Sequence, residues 1–174
     1  DEESEVSSVW VKVEPFASVE YADGAGQTCA FTESDVYVDS SIPQECLDEG
    51  CGLSNNPFKT ISRALEMINP TEDNPITIHL AAGTYSPETG EIFPINMMSN
   101  VNIEGENEET TIFDAMETSG VITMDNCDNN TILGITIIGG YAWGAYPNFY
   151  GGGMRLINSN PTLTYLKIYN NEAY

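Results

Sequence analysis

The sequence predicts an all-β solenoid of about four coils, lidded at its N-terminal end by one short α-helix. Three observations predict it. Apolar and polar residues alternate in short runs that stop at glycine or asparagine, the runs return every ~25–35 residues, and one stretch, residues 57–68, shows the three- and four-residue apolar step of a helix instead. A unit this small cannot bury its apolar face alone, so successive units must stack.

The elements follow in chain order. Residues 1–34 form an N-terminal extension in which Val9, Val11 and Val13 alternate with Trp10, Lys12 and Glu14, giving a spare strand before Pro15. That strand either lies across the end of its own solenoid or pairs with the open edge of a neighbour. The repeating domain spans 35–174 and begins with a short strand at 36–39. In the capping helix 57–68, Phe58, Ile61, Ala64, Leu65 and Ile68 form one apolar stripe. Asn56 is placed to accept from a free first-turn N–H, Pro57 suits the first helical position, and Asn69-Pro70 stops the helix. Ile76, Ile78 and Leu80 then alternate with Thr77 and His79, and Gly83 permits a bend before Tyr85. The theme returns at 101–105, at 131–138 before Gly139-Gly140, and at 161–168 before Asn170-Asn171, with shorter strands at 111–113, 121–124 and 154–157.

Certain of these runs carry a family likeness. Asn56-Pro57-Phe58-Lys59-Thr60-Ile61 with its helix, the strand after it, and the rung Asn100-Val101-Asn102-Ile103-Glu104-Gly105 resemble the N-terminal part of right-handed parallel β-helix proteins of the pectate-lyase-like superfamily. Gly151-Gly152-Gly153-Met154, Asn158-Ser159-Asn160-Pro161-Thr162-Leu163 and Asn170-Asn171-Glu172-Ala173 resemble the repeating coil of large secreted bacterial β-helix proteins. The resemblance covers residues 35–174 and implies a right-handed parallel β-helix in a secreted or cell-surface protein. It specifies fold far more than function, because such solenoids host lyases, hydrolases, adhesins and passive stalks alike.

Composition narrows the partners. With 27 acidic and 5 basic residues the formal charge is −22, so nucleic acid is excluded as a partner: phosphate binding needs clustered Lys and Arg. No apolar run approaches the roughly 20 residues of a membrane span. The acidity suits an extracellular, saline or calcium-rich setting, and no charged leader with an apolar segment opens the sequence, so any export signal is expected to have been removed or to lie outside this sequence. Cys29, Cys46, Cys51 and Cys127 are disulfide candidates, since no C-x-x-C pair occurs and His79 is the sole histidine, which disfavours zinc. Either a local Cys46–Cys51 bridge or pairing with Cys29 would staple the irregular segment before the helix, and the sequence leaves all three pairings of the four cysteines open.

Candidate chemistry is sparse. The resemblance to β-helix lyases implies a basic Arg with calcium neutralising a uronate, and Arg155 with Asp125 and Asp128 one coil earlier are the residues that could supply it. An offset of about 31 residues brings Asp128 near Ser159 and Asp125 near Leu156. The competing role for both aspartates is turn formation. His79 faces outward by alternation as a solvated surface residue. The acidic segments 35–39, 48–49 and 104–109 could hold calcium but match no EF-hand, so metal ligands are not assigned. Tyr141, Trp143, Tyr146, Phe149 and Tyr150 crowd a loop between two rungs, where aromatic faces either stack on sugars or protein partners or fold back on the solenoid wall.

Two functional readings result. The leading one is a non-enzymatic β-helix module of a surface adhesin, stalk or filament. It associates through an uncapped C-terminal end and the spare N-terminal strand, or continues into a longer solenoid, because the last rung at 161–168 is followed by no capping element. The alternative is a carbohydrate-active module that binds or, as a calcium-dependent lyase, cleaves an acidic polysaccharide.

Overall fold

The computed structural model describes residues 33–46, 50–143 and 151–173. The elements run β1 (Asp35–Val38), α1 (Ile61–Met67), β2 (Ile76–Leu80), β3 (Gly83–Tyr85), β4 (Ile95–Asn96), β5 (Val101–Gly105) and β6 (Thr111–Asp114). They continue with β7 (Ile122–Asp125), β8 (Thr131–Ile138), β9 (Tyr141–Ala142), β10 (Met154–Ile157), β11 (Thr162–Ile168) and β12 (Glu172–Ala173). Every strand pair is parallel. One ladder runs β1-β2-β5-β8, the second half of β8 also carries β6 and β3, and β11 lies along β8. Separate ladders join β4-β7-β10 and β9-β12. Parallel neighbours need crossovers, so the chain advances by one strand spacing each time it returns to a face. That is the wiring of an all-β solenoid.

Alternation selects what goes inside. Ile78, Ile103 and Ile132 stand in register on β2, β5 and β8, and each is fully buried, while His79 and Glu104 between them point outward. A second column sets Tyr85, Phe113 and Ile137 in register, with the Tyr85 and Phe113 rings edge to face at 5.7 Å. The Tyr85 hydroxyl lies 3.0 Å from the carbonyls of Val38 and Ala81, and burial pushes its phenol pKa up. Asparagines supply the left-handed turn positions at 100, 126, 129, 158 and 170, and some bond one another between rungs: Asn129 to Asn100 at 3.0 Å and Asn158 to Asn126 at 3.1 Å.

The helix is shorter than the apolar stripe suggests. It begins at Ile61 rather than Pro57, and its cap is Thr60, whose hydroxyl accepts from Arg63 N at 3.2 Å, not Asn56. The reason lies on β1: Phe58 N donates to Tyr37 O at 2.9 Å and Phe58 O accepts from Asp39 N at 2.8 Å, so residues 57–58 are drawn out alongside the strand. Two carboxylates anchor the helix start. Glu45 accepts from Lys59 N at 2.8 Å and from the Thr60 hydroxyl at 3.0 Å. Glu91, only 4% exposed, accepts from Ile61 N at 2.6 Å and from Ser62 N at 3.0 Å. Helix N-termini leave N–H groups unpaired, and here a residue from beyond β3 covers them.

Cys46 and Cys51 form the disulfide, with Cα atoms 5.7 Å apart. Cys127 bridges nothing: its thiol is buried in the interior, 3.2 Å from Met97 O, where burial raises its pKa. Cys29, the strand at Val9–Val13, and Tyr146, Phe149 and Tyr150 lie outside the described residues.

Candidate functional site

On the β4-β7-β10 ladder, inward residues Ile95, Ile122 and Met124 are buried and the alternate side chains face out. Arg155 is one of these, opposite Thr123, which is itself opposite Asn96. Beside it opens a cleft of about 310 Å³ lined by Arg155, Thr118, Ser119, Thr123, Tyr141 and Trp143. Glycines bring the backbone close underneath: a Cβ on Gly140 would run into the Gly152 carbonyl, and one on Gly152 into Glu172. Among the described residues Arg155 makes no ion pair within 4.0 Å, whereas Arg63 pairs with Glu66 and Lys167 with Glu109.

The expected partners of Arg155 are not gathered around it. Asp125 is opposite Ile157 rather than Leu156, because this face repeats one residue later than the assumed offset, and its carboxylate accepts from Asn126 Nδ2 at 2.7 Å. Asp128 donates its N–H to Ser99 Oγ at 3.1 Å, and it is Cys127, not Asp128, that meets Ser159. Trp143 is 65% exposed and Tyr141 half-buried, so the described part of the aromatic segment faces the Arg155 cleft.

A second cleft, about 360 Å³, lies at the C-terminal ends of β1, β2 and β5. Tyr37, His79 and Glu104 are in register there. The His79 ring stacks on Tyr37 with centroids 5.1 Å apart, its Nε2 is 2.7 Å from Asp35 Oδ1, and its Nδ1 is 3.4 Å from Glu104 Oε2. Outward alternation is as the sequence indicates, but His79 is held by neighbours rather than solvated alone. The missing signal was the rung offset that lines up Asp35 and Tyr37 with a residue some forty positions on. The acidic segments at 35–39 and 104–106 do converge on this cleft. Among the described residues no three His, Cys, Asp or Glu side chains gather in metal-binding geometry.

The hydrogen bond with His79, aided by the Ser34 hydroxyl at 2.8 Å, lowers the Asp35 pKa. Because the folded value is depressed, the contribution of Asp35 to stability is complete above a pH of about 4, the ordinary carboxylate value, and is lost as pH falls through the lowered value. Asp35→Asn is therefore expected to flatten the acid limb of the stability profile slightly, the group being half exposed. Equilibrium unfolding of both proteins across that limb measures it; superimposable limbs would remove the interaction from the account.

Among the described residues no helix is long and apolar enough to cross a membrane. No curated protein and no solved structure matches the chain. The family described as "Protein of unknown function (DUF1565)" matches residues 46–171, from the first disulfide cysteine past the end of β11. With parallel ladders throughout and most of its length matched, this chain belongs to the DUF1565 family, which is associated with the right-handed β-helix.

Proposed function

We propose that the chain is an extracellular, non-enzymatic right-handed β-helix module of about four coils, built like the pectate-lyase-like proteins and serving in a surface adhesin, stalk or filament. In this reading residues 1–34 are an extension that contributes the strand at Val9, Val11 and Val13 to association, and 35–174 are the solenoid. One observation supports it above the rest. Leu163, Ile168 and Leu156 are in register with Ile132, Ile137 and Met124, which are fully buried, yet they are themselves 42%, 48% and 43% exposed. Inward positions of one rung are covered by the next, so these three call for a further parallel rung on β10 and β11, from the same polypeptide or from another molecule. The Cys46–Cys51 disulfide fits an oxidising, extracellular setting.

Sedimentation velocity of the 174-residue chain at micromolar concentration tests the reading. Concentration-dependent association is expected, weakened about tenfold or more by the pair Leu163→Lys and Ile168→Lys, which places charges on apolar surface. A homogeneous monomer throughout would count decisively against it.

A second reading, recognition of an acidic polysaccharide, draws on the cleft beside Arg155. Aromatic faces and a guanidinium that makes no ion pair among the described residues are the groups such a ligand would use.

A further inference from the structure

The two ends of the solenoid differ. At the first coil the free edge of β1 is taken by residues 52–58, where Tyr37 N donates to Gly52 O and Phe58 N to Tyr37 O, each at 2.9 Å, and α1 lies against β1 and β4. At the last coil β10 and β11 each pair on one side alone among the described residues. A neighbouring molecule therefore has no bare β1 edge to set against β11. Two last coils facing each other are a poor match as well, because a two-fold contact runs their strands antiparallel and mirrors the outline of the coil, so that only one ladder of each can pair. What a second copy has left to offer is the extension before Glu33, with its apolar run Val9, Val11 and Val13.

Backbone shape and charge choose where that run fits. β11 bends at Tyr165 (φ 49°), level with Gly134 (φ 69°) on β8, so a strand laid along it needs a residue in the left-handed region, and Val9–Val13 contains neither glycine nor asparagine. β10 has no such bend, since no residue of Met154–Ile157 has positive φ. Its inward residues Met154 and Leu156 are in register with Ile122 and Met124, both fully buried, yet Leu156 is 43% exposed. Two parallel registers cover both positions with valine. One sets Val11 on Met154 and Val13 on Leu156, which brings Lys12 opposite Arg155; the other sets Val9 on Met154 and Val11 on Leu156, which brings Trp10 opposite Arg155. The first opposes two cations, and the second gives a guanidinium an indole face.

From this we infer that β10 receives the Val9–Val13 strand of a second copy as a further parallel rung, with Val9 on Met154, Val11 on Leu156 and Trp10 beside Arg155. The inference rests on the association reading above and adds the receiving edge, the donated segment and the register. Main-chain pairing along an open edge supplies the affinity and the valines on alternate positions supply the fit. The contact is head to tail, so the donor's own β10 stays open for the next copy.

Two measurements on the full 174-residue chain test this. In sedimentation velocity, Val11→Lys and Leu156→Lys are each expected to weaken association about tenfold or more, and the two together no further, because both sever one contact. Trp10→Ala should weaken it about two- to fivefold in the parent and not at all in Arg155→Ala, as an exposed cation–π pair would. Val11 precedes the solenoid, so its variant decides alone if Leu156→Lys lowers the melting temperature. In the second measurement, a copy carrying benzoylphenylalanine in place of Trp10 is mixed with heavy-isotope-labelled parent and irradiated. Cross-links from light to heavy chains at residues 154–157 are expected. Association unmoved by Val11→Lys, cross-links to another surface, or cross-links confined to light chains, the mark of a strand folded back on its own molecule, would overturn the inference while leaving association standing. A monomer at every concentration would overturn both.

Discussion

Replacing Ile103 by alanine is expected to lower the unfolding free energy by about 2–5 kcal/mol, the range for deleting a fully buried branched side chain. Ile103 is in the middle of its column, between Ile78 and Ile132, and all three are fully buried. In a stacked structure each rung is stabilised chiefly by its neighbours, so a cavity there weakens the interfaces on both sides at once. Leu163, equivalent in position but covered on one side only, provides the comparison. Leu163→Ala should cost less than about 1.5 kcal/mol, because much of its surface is already in water. Urea unfolding monitored by circular dichroism measures both. Equal costs at the two positions would contradict the claim that layer stacking, rather than membership of a strand, carries the stability.

Glu91→Ala is expected to cost about 2–4 kcal/mol, since it strands buried N–H donors that a charged acceptor had satisfied. The donors are Ile61 N, Ser62 N and the Ser62 hydroxyl, the last at 2.6 Å. Glu91→Gln keeps an acceptor and loses the charge, so it should fall between the parent and alanine. Hydrogen exchange at the Ile61 and Ser62 amides gives a local readout: protection should collapse there first while the β5 and β8 amides stay protected. If Glu91→Ala unfolds within about 0.5 kcal/mol of the parent, the ordinary range for surface changes, the helix is held by its apolar face alone.

The strands that carry the solenoid were legible because alternation reports directly which side chains are inside. Runs at 76–80, 101–105 and 131–138 alternate or are broadly apolar, with a glycine at or within three residues of their ends, and became β2, β5 and β8. The two-residue strands β4, β9 and β12 were not legible, since two residues hold no period. The helix stripe was legible but its start was not: Phe58 fits the stripe equally well as a helical residue or as the apolar end of an extended segment, and only the backbone of β1 decides between them.

The candidate sites followed the same division. Arg155 and the aromatic residues stood out by type and crowding, and the absence of acids across 129–171 was there to be read. The neighbours of Arg155 were not, because a change of one residue in the rung offset exchanges which side chain of the previous layer is opposite. Asp35 beside His79 was hidden for the same reason.

By itself, then, the sequence determined which residues face inward and that the units must stack, both of which depend on residue type and local period. The tertiary structure decided the register between rungs, and with it the Cys46–Cys51 pairing beside β1, the Glu91 anchor on the helix, and the company kept by Arg155 and His79. Period is a property of one strand; register is set by the packing and turns of two, which no single run of residues encodes.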